Sequence, residues 1–179
     1  MRTSHQQEVN NYYTDTTHTW VYRSQIQAFG KDMTGHLIIR AMAPNTHRLA
    51  LVSDLGQTIL DVSVFPDRHE LHAAMADINK KILVKELAWV FRSLTERRYV
   101  QNALIFMDKQ HYPVYVVDDH FYSMEERHLA DIVVTKNGKE RFHVSFDDVQ
   151  RKLPKNITIQ HKKYPVAIQL KLDEKQSVL

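Results

Sequence analysis

The stretch of sequence that decides the fold is Asp77-Ile78-Asn79-Lys80-Lys81-Ile82-Leu83-Val84-Lys85-Glu86-Leu87-Ala88-Trp89-Val90-Phe91-Arg92-Ser93-Leu94. It is the only long segment in which apolar residues recur at spacings of three and four, which is the period of one face of an α-helix. The residues on this face are Ile78, Ile82, Leu83, Leu87, Val90, Phe91 and Leu94. Trp89 and Val84 widen the apolar arc, and Asp77 suits the N-cap because its carboxylate accepts amide hydrogens of the first turn. A helix this apolar needs a broad partner surface.

Most of the remaining chain has the alternation or the short apolar runs that indicate β-strands. Strands are predicted before the helix at residues 18–28, 35–42, 48–52 and 58–65, with a short strand or loop at 69–76. After it, strands are predicted at residues 103–107, 113–117, 131–135, 140–146, 157–161 and 165–172, with 121–126 ambiguous. Short turns, among them Asn137-Gly138, predict an antiparallel meander. The predicted fold class is α+β, a strongly curved antiparallel sheet (a half-barrel) wrapped over one dominant amphipathic helix.

Length and composition predict one globular domain. The chain of 179 residues is long enough for a substantial core, and its apolar content of 43% is ordinary for such a domain. We expect residues 1–17 to be a flexible N-terminal tether, residues 18–172 to be the half-barrel domain, and residues 173–179 to be a C-terminal tail. The net charge of +3 is small and the basic residues are interspersed, so nothing favours nucleic acid as a partner.

The common local signatures of catalysis are missing from the sequence. It has no cysteine, which excludes disulfides, thiolate metal ligands and thiol nucleophiles. Its four glycines are far apart, which excludes a P-loop and a dinucleotide-binding run. His69-Glu70-Leu71-His72 lacks the i, i+4 histidine spacing of a metalloprotease helix, and Asp118-Asp119-His120 is interpreted as a polar turn. We therefore predict no enzyme activity, no catalytic residues, no metal ligands and no cofactor. A dispersed carboxylate or histidine site is the remaining enzymatic alternative.

Three runs of sequence carry a resemblance to a known family. They are FGKDMTGHLIIR at residues 29–40, RLALVSDLGQTILDV at 48–62 and LPKNITIQHKKYP at 153–165. These runs resemble a family of Bacteroidetes lipoproteins of unknown function, which is in turn similar to the Lol-type (LolA/LolB-like) lipoprotein carriers and receptors. The resemblance extends over residues 20–172 and implies a curved half-barrel with helices over its concave side and an apolar cavity for lipoprotein acyl chains.

The resemblance also implies a location in the cell envelope, either periplasmic or anchored to the outer membrane. The N-terminal anchoring cysteine of such lipoproteins is absent from this sequence, and no signal-peptide pattern is visible. We expect any lipid anchor to the membrane surface to lie outside these 179 residues. No transmembrane span is predicted, because no apolar run reaches the required length.

The predicted function is non-enzymatic binding of lipid or lipoprotein acyl chains in an apolar cavity between the sheet and the helix. The predicted lining residues are Trp20, Tyr22, Leu37, Ile39, Leu51, Leu60, Val62, Leu87, Phe91, Ile168 and Leu170. A shift of one residue in strand register would turn the sheet residues of this set outward. The alternative is a structural or protein-interaction module of the envelope, in which the same residues fill a dry core and bind no ligand.

Overall fold

A computed structural model describes residues 7–100 and 104–179 of the protein. The described residues form one α-helix, α1 (Lys81–Thr95), and fourteen β-strands. The strands are β1 (Gln7–Asn10), β2 (Trp20–Ala28), β3 (Lys31–Ala43), β4 (Thr46–Ser53), β5 (Thr58–Val64), β6 (His69–Ala74), β7 (Arg98–Val100), β8 (Leu104–Met107), β9 (Pro113–Val117), β10 (His120–Glu125), β11 (His128–Lys136), β12 (Lys139–Gln150), β13 (Leu153–His161) and β14 (Val166–Leu172).

Twelve of these strands form one antiparallel sheet in the order β6-β5-β4-β3-β2-β14-β13-β12-β11-β10-β9-β8. The sheet consists of two meanders, β2–β6 and β8–β14, which are joined where β2 pairs with β14. The sheet is open, with β6 and β8 at its two edges, and β1 and β7 form a separate pair. The predicted fold class, an open antiparallel half-barrel with one dominant helix, is confirmed.

Two tight turns show why the meanders form. Phe29 and Gly30 connect β2 to β3 with φ values of 52° and 78°, and Asn137 and Gly138 connect β11 to β12 with φ values of 53° and 74°. Two consecutive positive φ values are the pattern of the two-residue hairpin turn that matches the right-handed twist of the strands. The hairpin predicted at Asn137-Gly138 is therefore confirmed.

One face of the sheet is buried and is here called the inner face. In β2, Tyr22 and Ile26 are buried whereas Arg23, Gln25 and Gln27 are exposed. The same alternation runs through β14, because side chains of a strand point to opposite faces in turn. The inner face and α1 together enclose a single hydrophobic core.

The helix starts later than the sequence predicts. It begins at Lys81, and Asp77 does not cap it but forms an ion pair with Lys31. The reason is local, because the amide of Asn79 donates a hydrogen bond to the carbonyl of Met75 (2.8 Å) and closes a separate turn before the helix. No helix within residues 7–100 and 104–179 has the length and apolar character to cross a membrane.

The predicted apolar face of the helix contains one error. Ile82 is 73% exposed, whereas Leu83, Leu87 and Phe91 are buried. At about 100° per residue, Ile82 lies half a turn out of phase with Phe91, nine positions later. Ile82 therefore belongs to the outer face of α1.

The N-terminal segment is part of the folded structure from residue 7 onward. β1 pairs with β7, and Tyr12 and Tyr13 are buried in the core. The Tyr13 hydroxyl lies 2.8 Å from the Tyr22 hydroxyl, and His47 Nε2 lies 2.5 Å from the Tyr13 carbonyl oxygen. Residues 7–13 thus pack onto the domain instead of extending from it, because two adjacent tyrosines bring enough apolar surface to hold this polar run. Residues 1–6 lie outside the described residues.

The C-terminal segment is also held in place. The amide of Thr19 donates to the carbonyl of Val178, and the amide of Val178 donates to the carbonyl of Thr19, both at 2.8 Å. The Ser177 hydroxyl also accepts a hydrogen bond from the amide of Val21 (2.9 Å). These hydrogen bonds hold the C-terminal residues beside the start of β2.

Candidate functional site

The structure places all eleven predicted lining residues on one continuous surface. None is more than 5% exposed, and all belong to the single core. Nine come from the inner face of the sheet (Trp20, Tyr22, Leu37, Ile39, Leu51, Leu60, Val62, Ile168 and Leu170), and two, Leu87 and Phe91, come from α1. The strand parity chosen from the sequence therefore faces the helix. Whether these residues contact a lipid stays a prediction.

The helix lies nearer to one half of the sheet than to the other. The backbone of α1 packs closest against β4, β5 and β6. Long side chains make contact with the opposite half, for example Trp89, whose ring packs edge-on against Phe142 with centroids 5.2 Å apart. Ser93 Oγ similarly lies 3.0 Å from His120 Nε2. Side-chain contacts of this kind connect α1 to β10–β13.

A buried carboxylate ties α1 to the far half of the sheet. Glu86 Oε1 accepts hydrogen bonds from Arg141 Nε on β12 (2.5 Å) and from His161 Nε2 on β13 (3.0 Å). His161 Nδ1 accepts hydrogen bonds from the amides of Lys163 and Tyr164, so Nε2 carries the proton of this imidazole. The three side chains therefore form a hydrogen-bonded polar cluster at the border of the apolar core, centred on Glu86 Oε1.

The charges of this cluster are set by burial and by its partners. Burial alone would raise the pKa of Glu86, but the hydrogen bond and positive charge of Arg141 outweigh it and lower the pKa. Burial lowers the pKa of His161 despite the nearby carboxylate of Glu86. The cluster is therefore an ionised pair, Glu86 and Arg141, supported by a neutral histidine at neutral pH.

Beside this cluster is an opening that we call the basic cleft, with a volume of 470 Å³. It lies between the outer face of α1, the β5–β6 connection, the β11–β12 hairpin and the β13–β14 connection. Its cationic residues are Arg68, Lys85, Arg92, Lys136, Arg141 and Lys163. Its other lining residues are Asp67, His69, Ile82, Glu86 and Trp89. Cations from four separate segments of the chain converge at this one place.

A second opening, of 600 Å³, lies at the turn between β12 and β13. Its lining includes Tyr12, His18, Trp20, Arg151 and Leu153. Trp20 is the one predicted lining residue that reaches this opening. Trp20, which is 3% exposed, therefore marks the edge of the core on this side.

One polar cluster has the residue types of a hydrolase triad but lacks the geometry. On β11 and β12, Asp131 Oδ1 lies 2.7 Å from both His143 Nε2 and Ser145 Oγ. Ser145 Oγ lies 3.2 Å from that same Nε2. A triad needs the carboxylate and the nucleophile on opposite nitrogens of the imidazole, so that one orients the ring and the other loses its proton. The cluster instead pairs side chains across neighbouring strands.

The described residues show no place where three or more His, Asp or Glu side chains converge as metal ligands. Within the predicted polar turn at residues 118–120, His120 is buried, with its Nε2 at the Ser93 hydroxyl, whereas Asp118 Oδ2 lies 3.7 Å from Arg98 Nη1. These side chains do not share a common point. Burial lowers the pKa of His120 to about 4, with the positive charge of Arg98 contributing further.

Sequence reasoning missed Glu86 and the basic cleft. A signal for Glu86 was available, because it is spaced three residues from Leu83 and four from Val90 on the apolar face. An acidic residue inside an apolar stripe requires a buried partner. No comparable signal marked the cleft, since its cations are distributed between residues 68 and 163.

Comparison with known proteins supports the fold but gives no sequence relative. No protein-family model matches the chain, and no curated protein sequence matches it. It is similar in structure to a domain from Vibrio parahaemolyticus assigned to outer membrane lipoprotein sorting, with a TM-score of 0.50 over 91% of this chain and 86% of that one. It is also similar to a LolA superfamily protein from Nitrosomonas europaea, with a TM-score of 0.54 over 94% and 89% of the two chains.

Both of these structures are 6% identical to this chain in sequence. At that level the similarity establishes a shared architecture and not a shared activity. The fold is a Lol-type open half-barrel with one helix against its inner face. The resemblance to Lol-type proteins is thus confirmed at the level of fold, whereas the Bacteroidetes affiliation stays a prediction.

Proposed function

We propose that the inner face of the sheet and α1 bind the acyl chains of a lipid or lipoprotein, and that the protein handles them in the cell envelope without catalysing a reaction. The observation that carries this proposal is the continuous apolar surface formed by the eleven predicted lining residues under a single 15-residue helix. An acyl chain needs no directional partner, because burial alone contributes about 0.8 kcal/mol per CH₂.

The position of α1 supports this proposal. The helix is held to β10–β13 by side-chain contacts such as Trp89 with Phe142, so those contacts can part without breaking backbone pairing. An acyl chain entering between α1 and this half of the sheet would replace protein–protein apolar contacts with protein–lipid ones. The Lol-type fold and the lipoprotein-sorting assignment of the Vibrio domain point to the same class of ligand.

The packing of the core favours a second candidate, the structural module with a filled core. The predicted lining residues are already buried among themselves, as expected for side chains that pack only with one another. A partner protein would then dock on an edge or an outer face of the sheet. The two functions differ in one property, which is whether the core admits an apolar ligand.

The two tryptophans provide a direct test. Trp20 lies on β2 and Trp89 on α1, so the Trp20→Phe and Trp89→Phe proteins each retain one fluorophore. We expect a bromine-labelled fatty acid, which quenches indole fluorescence on contact, to quench both proteins saturably. Native mass spectrometry of the untreated protein should show a bound lipid or fatty acid. Absence of quenching in both proteins, with no bound lipid detected, would select the filled-core module.

A charge placed in the core should block acyl-chain binding. We expect Leu87→Asp to abolish quenching, since Leu87 is buried on the face of α1 that meets the sheet. Leu55→Asp is the matched control, because it is the same substitution at a side chain that is 97% exposed. A Leu87→Asp protein that stays folded by circular dichroism and still binds the fatty acid would contradict the assignment.

A further inference from the structure

The net positive charge of the basic cleft exceeds the net charge of the whole chain. Its lining has six cationic and two carboxylate side chains, a surplus of four charges, whereas the net charge of the chain is +3. Four of the cations, Lys85, Arg92, Lys136 and Lys163, have no carboxylate within 4.0 Å among the described residues. Such an excess of positive over negative charge is unfavourable unless an anion binds.

Arg92 adds a partly buried positive charge to the cleft. Its Nη2 donates to the carbonyl of Arg68 (3.0 Å), but its buried Nε has no hydrogen-bond partner among the described residues. The pKa of His69, on the same wall, is lowered by burial and then by the positive charges of Arg92 and Lys85. Both observations indicate a positive potential in the cleft.

The cleft also has an apolar side that continues into the core. Ile82 is 73% exposed on the outer face of α1, and Trp89 lies two turns further along the same helix. The Trp89 ring contacts Phe142, which is fully buried in the core. Trp89 and Phe142 therefore join the apolar side of the cleft to the core by direct contact.

We propose that the basic cleft binds the phosphate-bearing head group of an anionic lipid whose acyl chains pass Trp89 into the core; the second half of this statement rests on the proposed function. Lys85, Lys136 and Lys163 donate to the phosphate oxygens from three sides, and Ile82 and Trp89 contact the glycerol and first methylene groups. The volume of 470 Å³ suits a head group of this size. Phosphate recognition by several converging cations is a strong, charge-assisted interaction.

Three lysines of the cleft permit a specific test. We compare the triple variant Lys85→Gln, Lys136→Gln, Lys163→Gln with a control, Lys109→Gln, Lys171→Gln, Lys175→Gln. Each lysine is exposed, and both variants change the net charge equally. The probe is dihexanoyl phosphatidylglycerol, read by Trp89 fluorescence in the Trp20→Phe background. We expect the cleft variant to weaken binding about tenfold.

The control variant should weaken binding by roughly twofold at most, and added salt should weaken binding to the unmodified protein more than to the cleft variant. Equal losses in the two triple variants would overturn the head-group site. Glycerol 3-phosphate that binds as tightly as the lipid would overturn the lipid assignment in favour of a free phosphate ester.

A bromine-labelled monoacylglycerol, which carries no charge, separates this inference from the proposed function. We expect it to quench the tryptophan fluorescence of the unmodified protein and of the protein with the three cleft substitutions. If the monoacylglycerol quenches and the three lysine substitutions leave phosphatidylglycerol binding unchanged, the acyl-chain function holds and the head-group site is wrong. If it fails to quench while phosphatidylglycerol binding depends on those lysines, the head-group site holds and the acyl-chain function is wrong.

Discussion

The ion pair between Glu86 and Arg141 should be a major link between α1 and the far half of the sheet. The two side chains are only 8% and 16% exposed, and Arg141 Nε donates to Glu86 Oε1 at 2.5 Å. Glu86→Gln removes the charge but keeps the shape, and it leaves the guanidinium of Arg141 partly buried without a counter-charge. We expect a loss of about 2–4 kcal/mol in the free energy of unfolding.

A double-mutant cycle isolates this interaction from other effects of the substitutions. Urea unfolding of Glu86→Gln, Arg141→Gln and the double variant should give a coupling energy of about 2 kcal/mol. Arg48→Gln serves as control, because Arg48 forms the same kind of pair with Asp61 but is 48% exposed, and it should cost roughly 0.5 kcal/mol. A coupling energy near zero, or equal costs for Arg48→Gln and Arg141→Gln, would refute the reasoning.

The pH dependence of the coupling provides an independent check. The pKa of Glu86 is lower in the folded protein than its ordinary value of 4.5. Its contribution to stability is therefore fully present above the unfolded-state pKa and is lost as the pH falls through the lowered folded value. The stability difference between the unmodified protein and Glu86→Gln should stay constant from pH 7 to about pH 5 and shrink below pH 4.5.

Three further predictions concern stability and are measured by urea unfolding. Phe91→Ala should cost about 3–5 kcal/mol because it opens a cavity in the core, whereas Ile82→Ala on the exposed face of the same helix should cost less than about 0.5 kcal/mol. Gly35→Ala should cost more than about 2 kcal/mol, because the new methyl group would lie 1.9 Å from the carbonyl oxygen of Val52 and push β3 from β4; a near-neutral result would contradict that contact. Since burial lowers the pKa of His120 from 6.5 to about 4, the free energy of unfolding should fall by up to about 3 kcal/mol between pH 6.5 and pH 4. His120→Asn should flatten this pH dependence, and an unchanged slope would contradict the burial of the histidine.

Most of the fold could be predicted from the sequence, because its strands and helix have strong and different periods. The alternation in Val166–Leu172 and the hairpin at Asn137-Gly138 are local signals, and both appear in the structure where the sequence placed them. The order of strands in the sheet was not predicted in detail. The pairing of β2 with β14 depends on contacts between distant parts of the chain, which no local pattern specifies.

The boundaries and the N-terminal segment show where local reasoning fails. Asp77 has the chemistry of an N-cap, but its carboxylate pairs with Lys31, which folding brings to it from β3. Tyr12 and Tyr13 lie in a polar run, so composition suggested a tether. Both side chains are nevertheless buried against residues far along the chain. The Tyr12 hydroxyl, for example, donates a hydrogen bond to the carbonyl of Leu129 (2.5 Å). In each case a tertiary contact outweighed the local preference.

One part of the candidate site could be predicted from local pattern, and the other part could not. The inward parity of Tyr22, Leu37 and Ile168 followed from alternation alone, since a half-buried strand fixes which side chains face the core. The basic cleft could not be predicted from such a local pattern, because Arg68, Lys136 and Lys163 become neighbours only when the sheet curves around α1. Charges that are interspersed in sequence can still be concentrated in space, and a count along the chain does not detect this.

The junction of β2 with β14 has a consequence for the order of assembly. Ala28 pairs with Val166 and Tyr22 with Leu172, so the middle of the sheet joins the first long strand to the last. During synthesis the first meander and α1 emerge long before β14. One edge of β2 therefore stays unpaired until β14 has been made. Closure over so long a loop makes folding slow compared with local hairpins. The final strand completes the sheet, and a chain shortened before Val166 would leave β2 and β13 each with one free edge, open to pairing with other chains.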